Sequence, residues 1–212
     1  MKRRTPLKGN VVKRFPEDKL GKDAIEKIGS IKIGIAGCGG LGSNCAFNLV
    51  RSGFIRFKIV DSDVVEISNI NRQFYFLDQI NMTKVKALEV NLKRINPEIN
   101  IEAIEQRLNR SNAAKVFADC DIVVEALDEP KEKSMLVSSL LNKVKLIVAA
   151  SGVAGFGSSD QIRIKKINKN LVLVGDFKTG IDKAPAFSPR VNIAAAKQAD
   201  IILEYALRGP VS

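Results

Sequence analysis

Short apolar runs and longer stripes with a 3.6-residue period alternate along most of the chain. "IKIGIAG", "FIRFKIVD", "INIEAI", "DIVVEAL" and "KLIVAAS" are rich in β-branched residues and predict five strands. Between them, Leu41 to Ser52, "TKVKALEVNLKRIN", "SNAAKVFAD" and "EPKEKSMLVSSLLNK" carry helical spacing. Gly53 stops the first of these helices and the Asn96-Pro97 break the second; a serine caps the third, and Pro130 sits in the first turn of the fourth. A helix also precedes the first strand in "PEDKLGKDAIEKIGS", with Pro16 in its first turn. After the fifth strand the pattern changes. "DQIRIKKI" and "NLVLVGD", joined across Asn168-Lys169-Asn170, predict an antiparallel hairpin, and "VNIAAAKQADIILEYAL" predicts the last helix. The alternation specifies an α/β fold with a doubly wound, mostly parallel sheet, a C-terminal antiparallel hairpin and a final helix. No linker or internal repeat interrupts it, so one domain is expected over residues 1–212, with an arm and helix in the first 30.

The first strand runs into "GCGGLGSN". Gly37 and Gly39 permit a tight turn with backbone N–H groups close to a phosphate, and Gly42 lets the following helix sit against the strand. Asp61 ends the second strand about 20 residues on, where an acidic side chain meets ribose hydroxyls. This is the Rossmann-like phosphate turn, and it serves NAD and ATP equally. The next segment separates them. A polar loop, "SDVVEISNINRQFYFLDQINMTK", carries Asp63, Asn69, Asn71 and Arg72 and ends at Lys84 on a helix start. Asp128 ends the fourth strand in "VVEALDEP", so strand ends should bring Asp61, Asp128 and the glycine turn to one sheet edge. Two cations and a carboxylate around a phosphate turn suit a triphosphate with Mg²⁺ rather than a hydride acceptor.

Composition narrows the chemistry further. The chain has 212 residues and no histidine, which removes the commonest general acid–base group at neutral pH. Three scattered cysteines, Cys38, Cys45 and Cys120, argue against a disulfide framework and for a reducing cytoplasm, and no zinc site of the usual kind can be built from them. No apolar stretch reaches the roughly 20 residues that span a bilayer, and no apolar signal core follows the basic "MKRRTPLKGN". The net charge of +11 favours anionic partners. No nucleic-acid motif or aromatic–basic interleaving accompanies it, so no nucleic acid is expected.

Taken in order, "GCGGLGSN", "DSDVVEISNINRQ", the Lys84 helix, "ALDEPKEK", "VAASGVAGFGSSDQIRI", "VGD" and "SPRVNIAAAKQA" resemble the ubiquitin-like-protein activating superfamily. The match is to its ThiF and MoeB adenylyltransferases, within the short ThiF-like subfamily of thiamine biosynthesis, and it covers nearly the whole chain. The resemblance implies a sulfur carrier protein adenylyltransferase using ATP and Mg²⁺. A ubiquitin-like sulfur carrier's C-terminal Gly-Gly carboxylate would attack the α-phosphate, leave as an acyl-adenylate and release pyrophosphate. Such a nucleophile is already ionised at pH 7 and needs no base, which agrees with a chain lacking histidine. By resemblance Asp128 would bind the metal, Arg72 and Lys84 the phosphates and Asp61 the ribose. Gly37, Gly39, Gly40, Gly42, Ser68, Asn69 and Asn71 would complete the nucleotide site. In homodimeric relatives an N-terminal arginine reaches the partner's phosphates; Arg14 is the candidate here, with Arg4 and Arg3 behind it.

Several positions also admit plainer roles. Lys84 could be a solvated helix residue, Arg72 a surface loop residue, Asp128 a helix N-cap and Cys38 a small packing residue. The chain departs from the family in lacking zinc-binding cysteine pairs and any cysteine after Cys120, with Val174 where related chains often carry one. Activation only is therefore expected, with a separate sulfur donor enzyme. Asn81 stands where a glycine commonly precedes the lysine, and Glu129 replaces a frequent asparagine. The alternatives are activation of another carrier or of a peptide or tRNA substrate, a nicotinamide-dependent oxidoreductase, and a non-catalytic docking scaffold.

Overall fold

The computed structural model describes residues 20–209. Its elements follow the predicted order. Helix α1 (Lys22–Ser30) leads into β1 (Lys32–Ala36), α2 (Gly40–Arg51) and β2 (Arg56–Asp61). Two short 3₁₀ turns, Ile67–Asn69 and Leu77–Gln79, precede α3 (Lys84–Ile95) and β3 (Asn100–Glu105). Then come α4 (Ala113–Val116), β4 (Ile122–Glu125), α5 (Pro130–Leu140), β5 (Leu146–Ala150), β6 (Arg163–Asn168), β7 (Leu171–Gly175) and α6 (Ser188–Arg208). The start of the predicted first helix, with Pro16, lies outside the described residues, as do Arg3, Arg4 and Arg14.

One seven-stranded sheet runs in the order β3-β2-β1-β4-β5-β7-β6. All neighbours pair in parallel except β6 with β7. Successive side chains of a strand point to opposite faces, and two apolar layers result. On one face Ile33, Ile35, Ile59, Val124 and Val148 pack with Leu49 of α2, Leu88 of α3 and Ile202 of α6. On the other, Val60, Val123 and Ile147 pack with Phe117 and with Leu136 and Leu140 of α5.

The hairpin prediction holds, but its order in the sheet needed the fold. β7, the second strand, inserts beside β5, and β6 is pushed to the edge. The reason is in their faces: β7 reads Leu-Val-Leu-Val-Gly and is largely buried, whereas every residue of β6 is exposed. A second difference concerns α4, whose expected serine cap is absent. Its N-cap is Asn112, and the Asn109 side chain instead accepts from the Ser111 and Asn112 amides. An amide carbonyl at Asn109 organises that turn before the serine is reached.

The order β2-β1-β4 places a topological switch point between β1 and β4, because the chain leaves β1 in one direction and returns on the other side. A crevice at the strand carboxyl ends follows from that reversal.

Candidate functional site

The turn after β1 shows why glycine is placed where it is. Gly37 has φ +92°, and a Cβ there would lie 2.6 Å from the Ala126 carbonyl oxygen of the turn after β4. A Cβ at Gly42 would collide with the Gly37 carbonyl, so α2 can sit this close to the turn only without one. Gly39 is the N-cap of α2 and provides no side-chain cap. The amides of the first helical turn therefore keep their capacity for an anion, and the helix dipole favours negative charge there.

A cavity of about 290 Å³ opens over this turn, lined by Gly37, Gly39, Asp61, Ser62, Asp63, Lys84, Gln106, Arg107, Asp128, Glu129 and Glu132 with a few apolar neighbours. Asp61 reaches it from the end of β2. Its two carboxylate oxygens accept the Cys38 amide at 2.6 Å and the Asp63 amide at 2.8 Å. Burial pushes this carboxyl above its ordinary value, against the pull of both amides and Lys84. Lys84 starts α3, with its amide donating to the Asp63 carbonyl at 2.8 Å. The ammonium lies 2.7 Å from Asp63 Oδ2, and the lysine side chain is 7% exposed against 62% for the aspartate. Desolvation works against its charge, but the Asp63 hydrogen bond and the fields of Asp61, Asp63 and Asp128 outweigh it and raise its pKa. Lys84 is thus no solvated helix residue; Lys86 is, pairing with Glu89 at 2.9 Å on the surface.

Asp128 lies three residues beyond β4 rather than at its end, exposed in the turn before α5. It is not the N-cap: Glu129 holds that position. Asp128 belongs also to a second cavity of about 520 Å³, shared through Leu127 and Glu129, whose far wall includes Gly152, Val153, Thr179 and Ile181. The loops of that wall are clamped by Arg190, which donates to Asp176 at 2.6 Å and to the Gly157 carbonyl at 2.9 Å. Asp176 in turn accepts from the Lys178 and Thr179 amides.

The structure brings Gly37, Gly39, Asp61, Lys84 and Asp128 to one cavity. Gly40 and Gly42 lie in the first turn of α2, beside it. Arg72 follows a different course. Its Cγ lies near Gly40, while its guanidinium donates to the Ser68 carbonyl at 3.0 Å and to Asn71 Oδ1 at 2.8 Å. Asn69 is buried, its side chain accepting the Glu66 amide at 3.1 Å and holding the 3₁₀ turn. Ser68 donates to Glu66. None of Arg72, Ser68, Asn69 and Asn71 lines the cavity; together they form the loop next to it. Asn81 has φ +70°, a left-handed conformation that asparagine tolerates, so it can stand where glycine is usual.

Four contributors escaped the sequence reading. Asp63 stood in the polar loop but nothing marked it as the partner of Lys84. Gln106 and Arg107 follow β3, and the rule that ligands bind beyond strand carboxyl ends would have found them. Arg107 pairs with Glu132 of α5 at 2.8 Å across the cavity mouth. Tyr75, buried, donates to the Cys38 carbonyl at 2.7 Å and secures the glycine turn from below.

The cysteines are all buried and free. Burial raises the thiol pKa of Cys38 and Cys45, and that of Cys120 to about 12. Cys38 is a packing residue in this turn.

The arrangement of glycine turn, strand-end aspartate and buried lysine coincides with a family-level match: the ThiF family model matches residues 14–195. This chain belongs to the ThiF family. ThiF-family relatives include adenylyltransferase and sulfurtransferase UBA4 of Candida glabrata, 36% identical over 138 residues, which are 65% of this chain and 31% of the relative. Molybdopterin-synthase adenylyltransferase of Haemophilus influenzae is 35% identical over 115 residues, 54% of this chain and 47% of the relative. The chain thus spans less than half the length of these curated relatives. Among solved structures, E. coli tRNA N6-threonylcarbamoyladenosine dehydratase TcdA in complex with AMP superposes with a TM-score of 0.81 at 20% identity, covering 90% of this chain and 91% of that one. That likeness is one of fold. Among the described residues no helix is long and apolar enough to cross a membrane.

Proposed function

We propose that this ThiF-family chain is an ATP-dependent adenylyltransferase that activates the C-terminal glycine carboxylate of a ubiquitin-like carrier protein. The observation that carries the reading is the convergence of the Gly37–Gly39 turn, Asp61, Lys84 and Asp128 on one cavity that adjoins a second one at Asp128. The first suits a nucleotide, with its phosphates at the α2 N-terminus and its ribose at Asp61. The second suits an extended chain end approaching the α-phosphate. The curated relatives' names, adenylyltransferase and molybdopterin-synthase adenylyltransferase, support the reaction class.

Charge supports a divalent cation. Among the described residues, Asp61, Asp63, Asp128, Glu129 and Glu132 line the first cavity against Lys84 and Arg107. A triphosphate entering alone would meet a net negative wall. Among the described residues no cluster of three carboxylate, cysteine or histidine groups could hold a metal by itself. Mg²⁺ does not require one, since it binds through one or two carboxylates plus substrate phosphates. Asp128 fits as that carboxylate. The metal, when bound, would neutralise phosphate charge. Lys84 holds a fixed positive charge where negative charge develops, and the turn amides orient the phosphates. Arg72 joins them by exchanging its bonds to Ser68 and Asn71 for a phosphate oxygen. The carrier carboxylate attacks phosphorus, the bond to pyrophosphate breaks, and no proton needs to move.

The carrier proposed is a ThiS-like sulfur carrier for thiamine thiazole synthesis, with sulfur supplied by a separate enzyme and the protein acting as a homodimer. A different carrier is the second reading, favoured by the molybdopterin-synthase and UBA4 relatives. The test is ATP–pyrophosphate exchange with Mg²⁺ and purified candidate carriers ending in Gly-Gly. Exchange dependent on one carrier supports the reading and names the partner. Binding of NADH with no binding of ATP–Mg²⁺ by calorimetry would sink it.

A further inference from the structure

Beneath the turn that carries Asp128 lies an ion pair that the reaction scheme does not use, its carboxylate buried and its lysine partly exposed at the wall of the second cavity. Glu125 closes β4 with its side chain 1% exposed; Lys133, at the end of the first turn of α5, is 23% exposed. The lysine donates to both Glu125 oxygens at 3.1 Å and to the Ala150 carbonyl at 3.2 Å. Glu125 Oε1 also accepts the Leu127 amide at 2.8 Å. One carboxylate is therefore tied to the β4–α5 turn, to α5 and, through the lysine, to the end of β5.

Those attachments join two walls of the crevice. Asp128 is the next residue after Leu127 and borders both cavities. Ser151 and Gly152 follow Ala150 and line the second cavity. Ala126, on the same turn, packs its carbonyl over Gly37. Burial pushes the Glu125 carboxyl upward, opposed by Lys133 and the Leu127 amide. A buried pair of this kind is a poor source of stability, since apolar replacements of similar volume are often neutral or stabilising. What apolar side chains cannot replace is the acceptor for the Leu127 amide.

We propose that Glu125 and Lys133 are positioning residues that hold the 126–129 turn in register with the Ser151–Gly152 wall, so that Asp128 faces the point where the two cavities meet. The roles of Asp128 and of the second cavity rest on the adenylation reading; the ordering of the turn does not.

The test uses three full-length variants: Lys133→Met, Lys133→Arg, and Glu125→Met with Lys133→Met. In Lys133→Met, hydrogen exchange of the Leu127 amide, held by Glu125, should accelerate at least tenfold while the Ile122–Val124 amides stay protected. The kcat of pyrophosphate exchange should fall at least tenfold with KM for ATP within threefold, an expected barrier rise of about 1.4 kcal/mol or more. Lys133→Arg should restore both readouts to within threefold. The double variant should melt no lower than the parent yet keep the fast-exchanging turn and the low kcat. Recovery of kcat together with melting temperature in the double variant would show a merely structural pair and overturn the proposal. So would unchanged protection of the Leu127 amide in Lys133→Met. If the parent protein shows no pyrophosphate exchange with any carrier, the adenylation reading fails, and the hydrogen-exchange result alone upholds or overturns the positioning role.

Discussion

Replacing Lys84 by methionine removes a buried positive charge that lines the proposed phosphate site while keeping an unbranched side chain in its slot. A unit charge about 4 Å from a phosphate oxygen, at an effective dielectric constant near 20, contributes about 4 kcal/mol. In the nucleotide-free protein the ammonium is already engaged with Asp63, and part of that must be given up. Asp63 is 62% exposed, and ion pairs solvated to that degree are worth roughly 0–1 kcal/mol. The net loss is about 3 kcal/mol, or about 10²-fold in kcat/KM. Fixed-charge stabilisers removed from other active sites cost similar amounts. The assay is carrier-dependent pyrophosphate exchange, run beside thermal melting to show that the variant is folded. Its pH dependence is a second reading of the same group. The folded pKa is raised above the ordinary 10.5. Its charge and contribution are thus complete below the ordinary value and vanish only as pH rises through the higher folded one. Between about pH 6 and 9 no ionisation of Lys84 should shape the rate. A folded Lys84→Met protein that keeps its exchange rate within about fivefold would refute the assignment.

Replacing Cys38, Cys45 and Cys120 together by alanine or serine should leave exchange within about tenfold, near 1.4 kcal/mol, because all three thiols are buried with raised pKa values; a reductant-sensitive carrier–enzyme adduct would contradict activation without covalent capture. Asp61 has a folded pKa above the ordinary 3.8, so ATP affinity measured by calorimetry should fall as pH drops through that raised value. Because the shift is upward, this group favours folding most at low pH and less as pH rises through its folded value; an Asp61→Asn variant keeps one acceptor for the Cys38 and Asp63 amides, so it should melt lower and bind ATP more weakly, and equal ATP affinity in the folded variant would dismiss the ribose role. Arg190→Met strands Asp176 in a pair whose side chains are both 5% exposed; denaturant unfolding should lose about 3–5 kcal/mol, and a loss under 1 kcal/mol would mean that water replaces the arginine. Asp176 is held below 3.8, its burial outweighed by the Thr179 and Lys178 donors and Arg190, so its stabilising share should be present above that value and disappear as pH falls through the folded one.

Local order was legible in the sequence because it is written in periodicity and in the residues that break it. Alternating runs and helical stripes specified strands and helices, and Gly37, Gly39 and Gly42 specified the turn, since at Gly37 and Gly42 backbone approach leaves no room for a Cβ, whereas Gly39, the N-cap of α2, has room for one. The same rule that puts ligands beyond strand carboxyl ends placed Asp61 and Asp128 near that turn. Tertiary structure alone decided which hairpin strand lies beside β5 and which takes the sheet edge, because the difference between β7 and β6 becomes energetic only when β5 offers an edge. It also decided what each charge faces. Lys84 is buried against Asp63, Arg72 folds back on its own loop, and Glu125 meets Lys133 under the Asp128 turn. Nothing in sequence spacing could specify those partners. Coulomb and hydrogen-bond energies depend on distances of a few ångströms between segments that only the completed sheet brings together.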